Sequence, residues 1–318
     1  MIIVLICVVG VFLIILLYNY NKFTYTTDLI QPRPSPYQNI NNTMIPFCTS
    51  NDCGNMLVIS GGALKGLSVI FYLKHKYAKQ AANAISDGND FLNDYKFFSG
   101  TSTGAILTAG LGARSHVCSR LRKNDTILEN MATFFETTPD KLLAENTSNS
   151  RFILLYLQFL YIQESKTKLF TKSVGWTFQT LGGLVGPKYP SPSNFVFEIF
   201  GHFRMCDLHE NGVFIFAQKM DTLQTIIFNN VTQTGLQVSK PYYFAECILM
   251  AISTPVFFPS HQGFIDAGFL SNDPVFETLS YLLHHNKLNA VDNVEVITLT
   301  QQKGGSITVG DNGGLLQW

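Results

Sequence analysis

Residues 95–104 read Tyr-Lys-Phe-Phe-Ser-Gly-Thr-Ser-Thr-Gly, and Ala-Ile-Leu-Thr-Ala-Gly-Leu-Gly-Ala follows directly at 105–113. The first four residues form a short apolar run bounded by a glycine turn, which predicts a strand. The second block has helical spacing. Between them Gly100-Thr101-Ser102-Thr103-Gly104 fits G-x-S-x-G. A serine in that pentapeptide, between a strand and a helix, is the signature of a nucleophile elbow: a sharp turn that lifts the hydroxyl to the end of a sheet. Gly100 and Gly104 fit because side chains in so tight a turn would collide. Ser102 would also lie near a helix N-terminus, where the positive dipole end favours a developing alkoxide. The competing reading is a loop serine that caps the helix.

Upstream, Met-Leu-Val-Ile-Ser at 56–60 predicts a buried strand, and the run 67–85 has helical spacing. Strand, glycine turn and helix, repeated, define an α/β layered domain. Ser-Gly-Gly-Ala-Leu-Lys-Gly at 60–66 joins the first pair. This loop lacks both G-x-x-x-x-G-K-[ST] and G-x-G-x-x-G, so neither a phosphate loop nor a dinucleotide site is indicated. A glycine-rich turn that opens a helix can still present backbone N–H groups to an anion, as an oxyanion hole requires. Gly61, Gly62 and Ala63 are the candidate donors. Lys65 either stiffens the loop, adds positive potential or is simply a solvated helix residue.

A serine hydroxyl needs a base. Asp266 stands in Ile-Asp-Ala-Gly at 265–268, after an apolar run and before a turn. That is where a strand would deliver a carboxylate to a site, although Asp-x-Gly also makes ordinary turns.

Taken together, these blocks resemble the patatin-like phospholipase family, whose pattern is G-G-G-x-[RK]-G, then G-x-S-x-G, then a late D-G-[GA]. Here the loop reads Gly61-Gly62-Ala63-Leu64-Lys65-Gly66, the elbow matches throughout, and the late motif is Asp266-Ala267-Gly268. Ala251, Ser253, Pro255, Phe257, Pro259, Asn272 and Pro274 also fall where such proteins have matching residues, and the resemblance runs from about Met56 to Gln301. It implies a three-layer α/β/α sandwich with a mostly parallel central sheet. It also implies a Ser102–Asp266 dyad without histidine, an oxyanion loop at Gly61, Gly62 and Ala63, and support from Lys65, Gly66, Gly100, Gly104 and Gly268. The expected activity is hydrolysis of a phospholipid or other acyl lipid through an acyl-enzyme, with no cofactor and no metal.

Other patterns compete. A Ser–His–Asp arrangement could draw on His284 or His285, which read as residues at a surface helix end. His261 reads as a loop residue. His202, Cys206, Asp207 and His209 lie close in sequence but match no familiar zinc spacing. A non-catalytic lipid-binding protein on the same fold is the other class to consider. The segment 126–200 is dense in Phe, Tyr and Leu and carries Gly182, Gly183 and Gly186. It reads either as a lid over the site or as core helices.

The remaining features concern location. Residues 2–18 are apolar and uncharged, and as a helix they span roughly 26 Å, close to a bilayer core of ~30 Å. No basic region precedes them and no small-residue cleavage site follows, so an uncleaved anchor (1–18) is expected rather than a signal peptide. Lys22 and Arg33 follow it, which favours a cytoplasmic domain. A Pro/Asn-rich linker (19–55) and one domain (56–318) complete the organisation. Lys+Arg and Asp+Glu are both 22, so no basic surplus points to nucleic acid. Six cysteines form no CxxC pair, and free thiols are expected, although Cys48 and Cys53 could pair in an oxidising compartment. Nothing in the sequence sets the oligomeric state.

Overall fold

The computed structural model describes residues 53–83, 91–169, 189–231, 242–255, 257–285 and 287–298. The expected anchor and nearly all of the linker fall outside these residues. Among the described residues no helix is long and apolar enough to cross a membrane.

Strand β1 (Gly54–Ile59) leads through the glycine loop into helix α1 (Gly66–Asn83), and β2 (Tyr95–Thr101) leads into α2 (Thr103–Gly112). Four helices follow: α3 (Arg114–Leu121), α4 (Asp125–Phe134), α5 (Pro139–Glu145) and α6 (Asn149–Phe159). Asn124, Thr138 and Ser148 cap the last three, each accepting a backbone N–H three residues on. The α6 run continues as a π-helical segment, Leu160–Leu169. Then come α7 (Ser193–Phe200), β3 (Gly212–Lys219), β4 (Thr225–Asn229), α8 (Phe244–Ile252), β5 (Phe264–Asp266), α9 (Val275–His284) and β6 (Val291–Ile297).

The sheet order is β4-β3-β2-β1-β6, with β5 also paired to β3. Pairing along β3-β2-β1-β6 is parallel, whereas β4 and β5 run antiparallel to β3. The central strands are continuous apolar runs because both faces are covered. Leu57, Ile59, Phe98, Val213 and Ile215 point into one core with α1, α2, α6 and α8 residues such as Val69, Leu107, Phe152 and Ile248. Their alternates Met56, Val58, Phe97, Phe214 and Phe216 point into a second core closed by Leu282 of α9. This period of two makes three layers, as expected. Burying each such Phe or Leu contributes about 1.5–3 kcal/mol.

The aromatic stretch is core wherever it is described. Phe152, Tyr156, Phe159 and Phe200 are fully buried, so α4–α7 are not a mobile cover. Gly182, Gly183 and Gly186 lie outside the described residues. Cys53, Cys118, Cys206 and Cys247 are free thiols.

Candidate active site

Strand β3 sets the positions of both candidate reacting groups. Thr101, the last residue of β2, pairs with Phe216. Asp266, the last residue of β5, pairs with Ala217. Ala217 also pairs with Ile226 of β4, so β5 must occupy the opposite edge of β3, the edge that β2 leaves at Thr101. Ser102 and Asp266 therefore meet end to end on consecutive rungs of one strand. The Ser102 hydroxyl lies near enough to the Asp266 carboxylate to favour its charged form, with no histidine between them.

Ser102 has φ 56° and ψ −125°, and its side chain does not cap α2. The capping alternative is therefore excluded. A non-glycine residue held at positive φ is strained, and here that strain aims the hydroxyl away from the helix and toward the carboxylate. The elbow can form because two backbones touch. A β-carbon at Gly104 would overlap the Ile59 carbonyl oxygen, and one at Gly100 would overlap the Gly104 carbonyl.

Asp266 is 2% exposed. Burial pushes its carboxyl above the ordinary carboxylate value, while hydrogen bonds from Ser102, Thr254 and Gly268 pull it back. The Gly268 N–H donates to Oδ1 at 2.8 Å and the Thr254 hydroxyl to Oδ2 at 2.6 Å. Thr254 is a site residue that the sequence reading missed, because a threonine twelve positions upstream of Asp266 carries no motif. Replacing it with valine removes a hydrogen bond to a charged group, about 1.5–3 kcal/mol. We expect Thr254→Val to lower kcat/KM about tenfold or more and to move the acid limb of the pH–rate profile upward, because the ionised form of Asp266 loses a donor.

The glycine loop abuts Ser102. A β-carbon at Gly61 would stand 3.1 Å from Ser102 Cβ. Asn272 ties this loop down: its carbonyl accepts the Gly61 N–H at 3.0 Å, and its Nδ2 donates to the Gly61 carbonyl at 3.2 Å. This corrects one expectation. Gly61 cannot serve as an oxyanion donor while its N–H is held by Asn272, and among the described residues nothing accepts the N–H groups of Gly62 and Ala63. Among the described residues nothing accepts the N–H of Thr103, first in α2, either. The elbow geometry could have flagged it, since the residue after the nucleophile supplies a donor in such turns. The Thr103 hydroxyl donates to the Ala63 carbonyl at 2.7 Å, linking elbow to loop. Tyr161, in the π-helical segment, donates to the Thr103 carbonyl at 3.3 Å and fills the space beside Gly66.

Ala63 has φ 48°, in the left-handed region. An L-residue held there costs about 1–2 kcal/mol. Ala63→Gly should therefore raise the melting temperature by roughly 2–4 °C, about 1 kcal/mol in a domain of this size. An unchanged or lower melting temperature would count against the strain. Ala267, where the family pattern has glycine, is fully buried in the second core. Lys65 is exposed and makes no ion pair among the described residues.

The histidines lie elsewhere. His284 ends α9, about 15 Å along the helix from Pro274. His285 packs against Tyr281. Burial holds His261 down to about 4. Among the described residues no group of three His, Cys, Asp or Glu could hold a metal. Asp207 instead accepts the Arg204 N–H, and His202 packs on Phe197.

A G-x-S-x-G elbow on a three-layer α/β sheet, facing a buried carboxylate and a glycine loop, defines a class of α/β proteins. The family model described as patatin-like phospholipase matches residues 57–279. The chain belongs to the patatin-like phospholipase family. No curated protein sequence matches it significantly. Among solved structures, the crystal structure of VipD from Legionella pneumophila aligns over 77% of this chain and 49% of that one, at 14% identity and a TM-score of 0.34. The chain thus spans about half the length of that protein.

Proposed function

We propose that the protein is a lipid acyl hydrolase of the phospholipase A type that uses a Ser102–Asp266 dyad. The observation that carries this reading is the strained Ser102 set beside a buried carboxylate on consecutive rungs of β3. Asp266 takes the hydroxyl proton as Ser102 Oγ attacks the ester carbonyl. The carbonyl oxygen becomes an oxyanion facing the N–H groups of Gly62, Ala63 and Thr103. Collapse expels the lyso-lipid alkoxide, which receives the proton from Asp266, and leaves an acyl-serine. Water then attacks, Asp266 accepts its proton, and the fatty acid departs as Ser102 recovers its hydrogen. Side chains and backbone of this chain carry every step, so no metal or cofactor is invoked.

A lipid substrate is supported by the surroundings of the site. Leu64 beside Ala63, Phe257 three residues past Thr254, and Leu270 four past Asp266 are large, apolar and exposed. Three separate segments that carry site residues thus each expose an apolar side chain within four positions of them, which suits an acyl chain better than a soluble ester. We further propose that residues 2–18 anchor the chain in a bilayer, with the domain on the cytoplasmic side.

The test is labelling of the full-length protein with a fluorophosphonate. Modification of Ser102, located by peptide mass and absent in Ser102→Ala, is the expected result. Folded protein that takes no label would overturn the hydrolase reading and leave a lipid-binding role.

A further inference from the structure

A second cleft, of about 580 Å³, lies between α1, α5 and the first turns of α6. That volume is within the ~300–1,000 Å³ of small-molecule sites. It is remote from Ser102. Helix α1 starts at Gly66 beside the elbow, and the cleft residues Lys74 and Tyr77 lie roughly 12–17 Å further along the helix.

The lining has three chemical parts. Tyr77, Leu142, Leu154 and Leu155 make an apolar wall. Lys74 and Arg151 bring two cations to the same cleft. The Lys74 ammonium donates to neutral Gln158 at 2.6 Å, and neither cation has an acidic partner among the described residues. Burial and then the Arg151 charge lower the Lys74 pKa. The one acid in the lining, Glu145, faces Lys141 at 3.8 Å. The third part is polar and unsatisfied. Asn146 is 4% exposed and its Nδ2 donates to the Leu142 carbonyl, but its Oδ1 has no partner among the described residues. The buried Thr137 hydroxyl has none either. Both residues line the cleft. Buried polar atoms without partners are uncommon and call for a ligand or water.

We propose that this cleft binds a monoacyl glycerophosphate: one acyl chain along the apolar wall, a phosphate between Lys74 and Arg151, and a glycerol hydroxyl donated to Asn146 Oδ1. Phosphate accepts the charge-assisted bonds that two unpaired cations can give. Thr137 can donate to it, and the free hydroxyl supplies the donor that Asn146 lacks. A free fatty acid satisfies the cations but not Asn146, and a monoacylglycerol satisfies Asn146 but not the cations. The site is independent of turnover at Ser102.

Calorimetric titration of the full-length Ser102→Ala protein with 1-oleoyl-glycerol 3-phosphate, below its aggregation threshold, tests the proposal. One saturable site is expected. Affinity should fall at least tenfold in Lys74→Gln/Arg151→Gln and return in Lys74→Arg/Arg151→Lys. Oleate and mono-oleoylglycerol should each bind at least tenfold more weakly than the phosphate. Fluorophosphonate labelling of Ser102 in the wild-type chain should be unaffected by the bound phosphate. Absence of saturable binding, indifference to the paired glutamine substitutions, or oleate binding as tightly as the phosphate would overturn the proposal. So would protection of Ser102 that is equal in the wild-type chain and the paired glutamine variant, since the ligand would then occupy the serine site.

Discussion

Asp266→Asn should abolish hydrolysis without weakening the fold. The carboxylate is nearly inaccessible, Thr254 and Gly268 hydrogen-bond it, and Ser102 lies beside it. Asparagine keeps the shape and an acceptor for Gly268, but it cannot take a proton. Loss of the base from a serine nucleophile costs about 10⁴-fold or more in kcat. Stability should move the other way. The folded state raises the Asp266 pKa above its unfolded value, chiefly through burial. The associated stabilisation is complete below the unfolded pKa and is lost as pH rises through the folded one. At neutral pH the charged carboxylate is therefore a net cost, and the neutral amide should melt at the same temperature or higher. A variant that loses both activity and stability would indicate a structural role for Asp266. In the wild type the same raised pKa places the acid limb of the pH–rate profile above the ordinary carboxylate range.

Gly104→Ala should have the largest effect on stability. The added methyl would overlap the Ile59 carbonyl oxygen and crowd the Ser60 carbonyl at 2.9 Å. Both are backbone atoms next to the glycine loop, so neither can turn aside as a flexible side chain would. Relief requires α2 to move off β1, which costs about 3 kcal/mol for overpacking of this kind. In a domain of this size that lowers the melting temperature by roughly 6–12 °C. Because α2 carries Ser102 at its first turn, activity should fall as well. Wild-type stability in this variant would show that the elbow can open without strain.

Much of this was legible in the chain itself. The runs at Met56 and Tyr95 announced buried strands because both faces of a parallel sheet are covered, and glycines at 100 and 104 marked the turn between β2 and α2. What was hidden depends on contacts distant in sequence. Strand β5 has three residues, too few for a periodic signal, yet its pairing with Ala217 is what brings Asp266 to Ser102. Capture of the Gly61 N–H by Asn272 joins segments 211 positions apart, so the loop sequence could not reveal which donors stay open. Thr254 is one threonine among many until the fold sets it against Asp266. The aromatics of α6 admitted both a lid and a core, since composition alone does not say which surface faces Phe152 and Tyr156.

The most direct test is fatty-acid release from phospholipid vesicles by the full-length protein, measured beside Ser102→Ala. The account predicts release by the wild-type chain and none above background by the folded variant. Equal release by both proteins, or none by a wild-type chain that is folded and vesicle-bound, would contradict it.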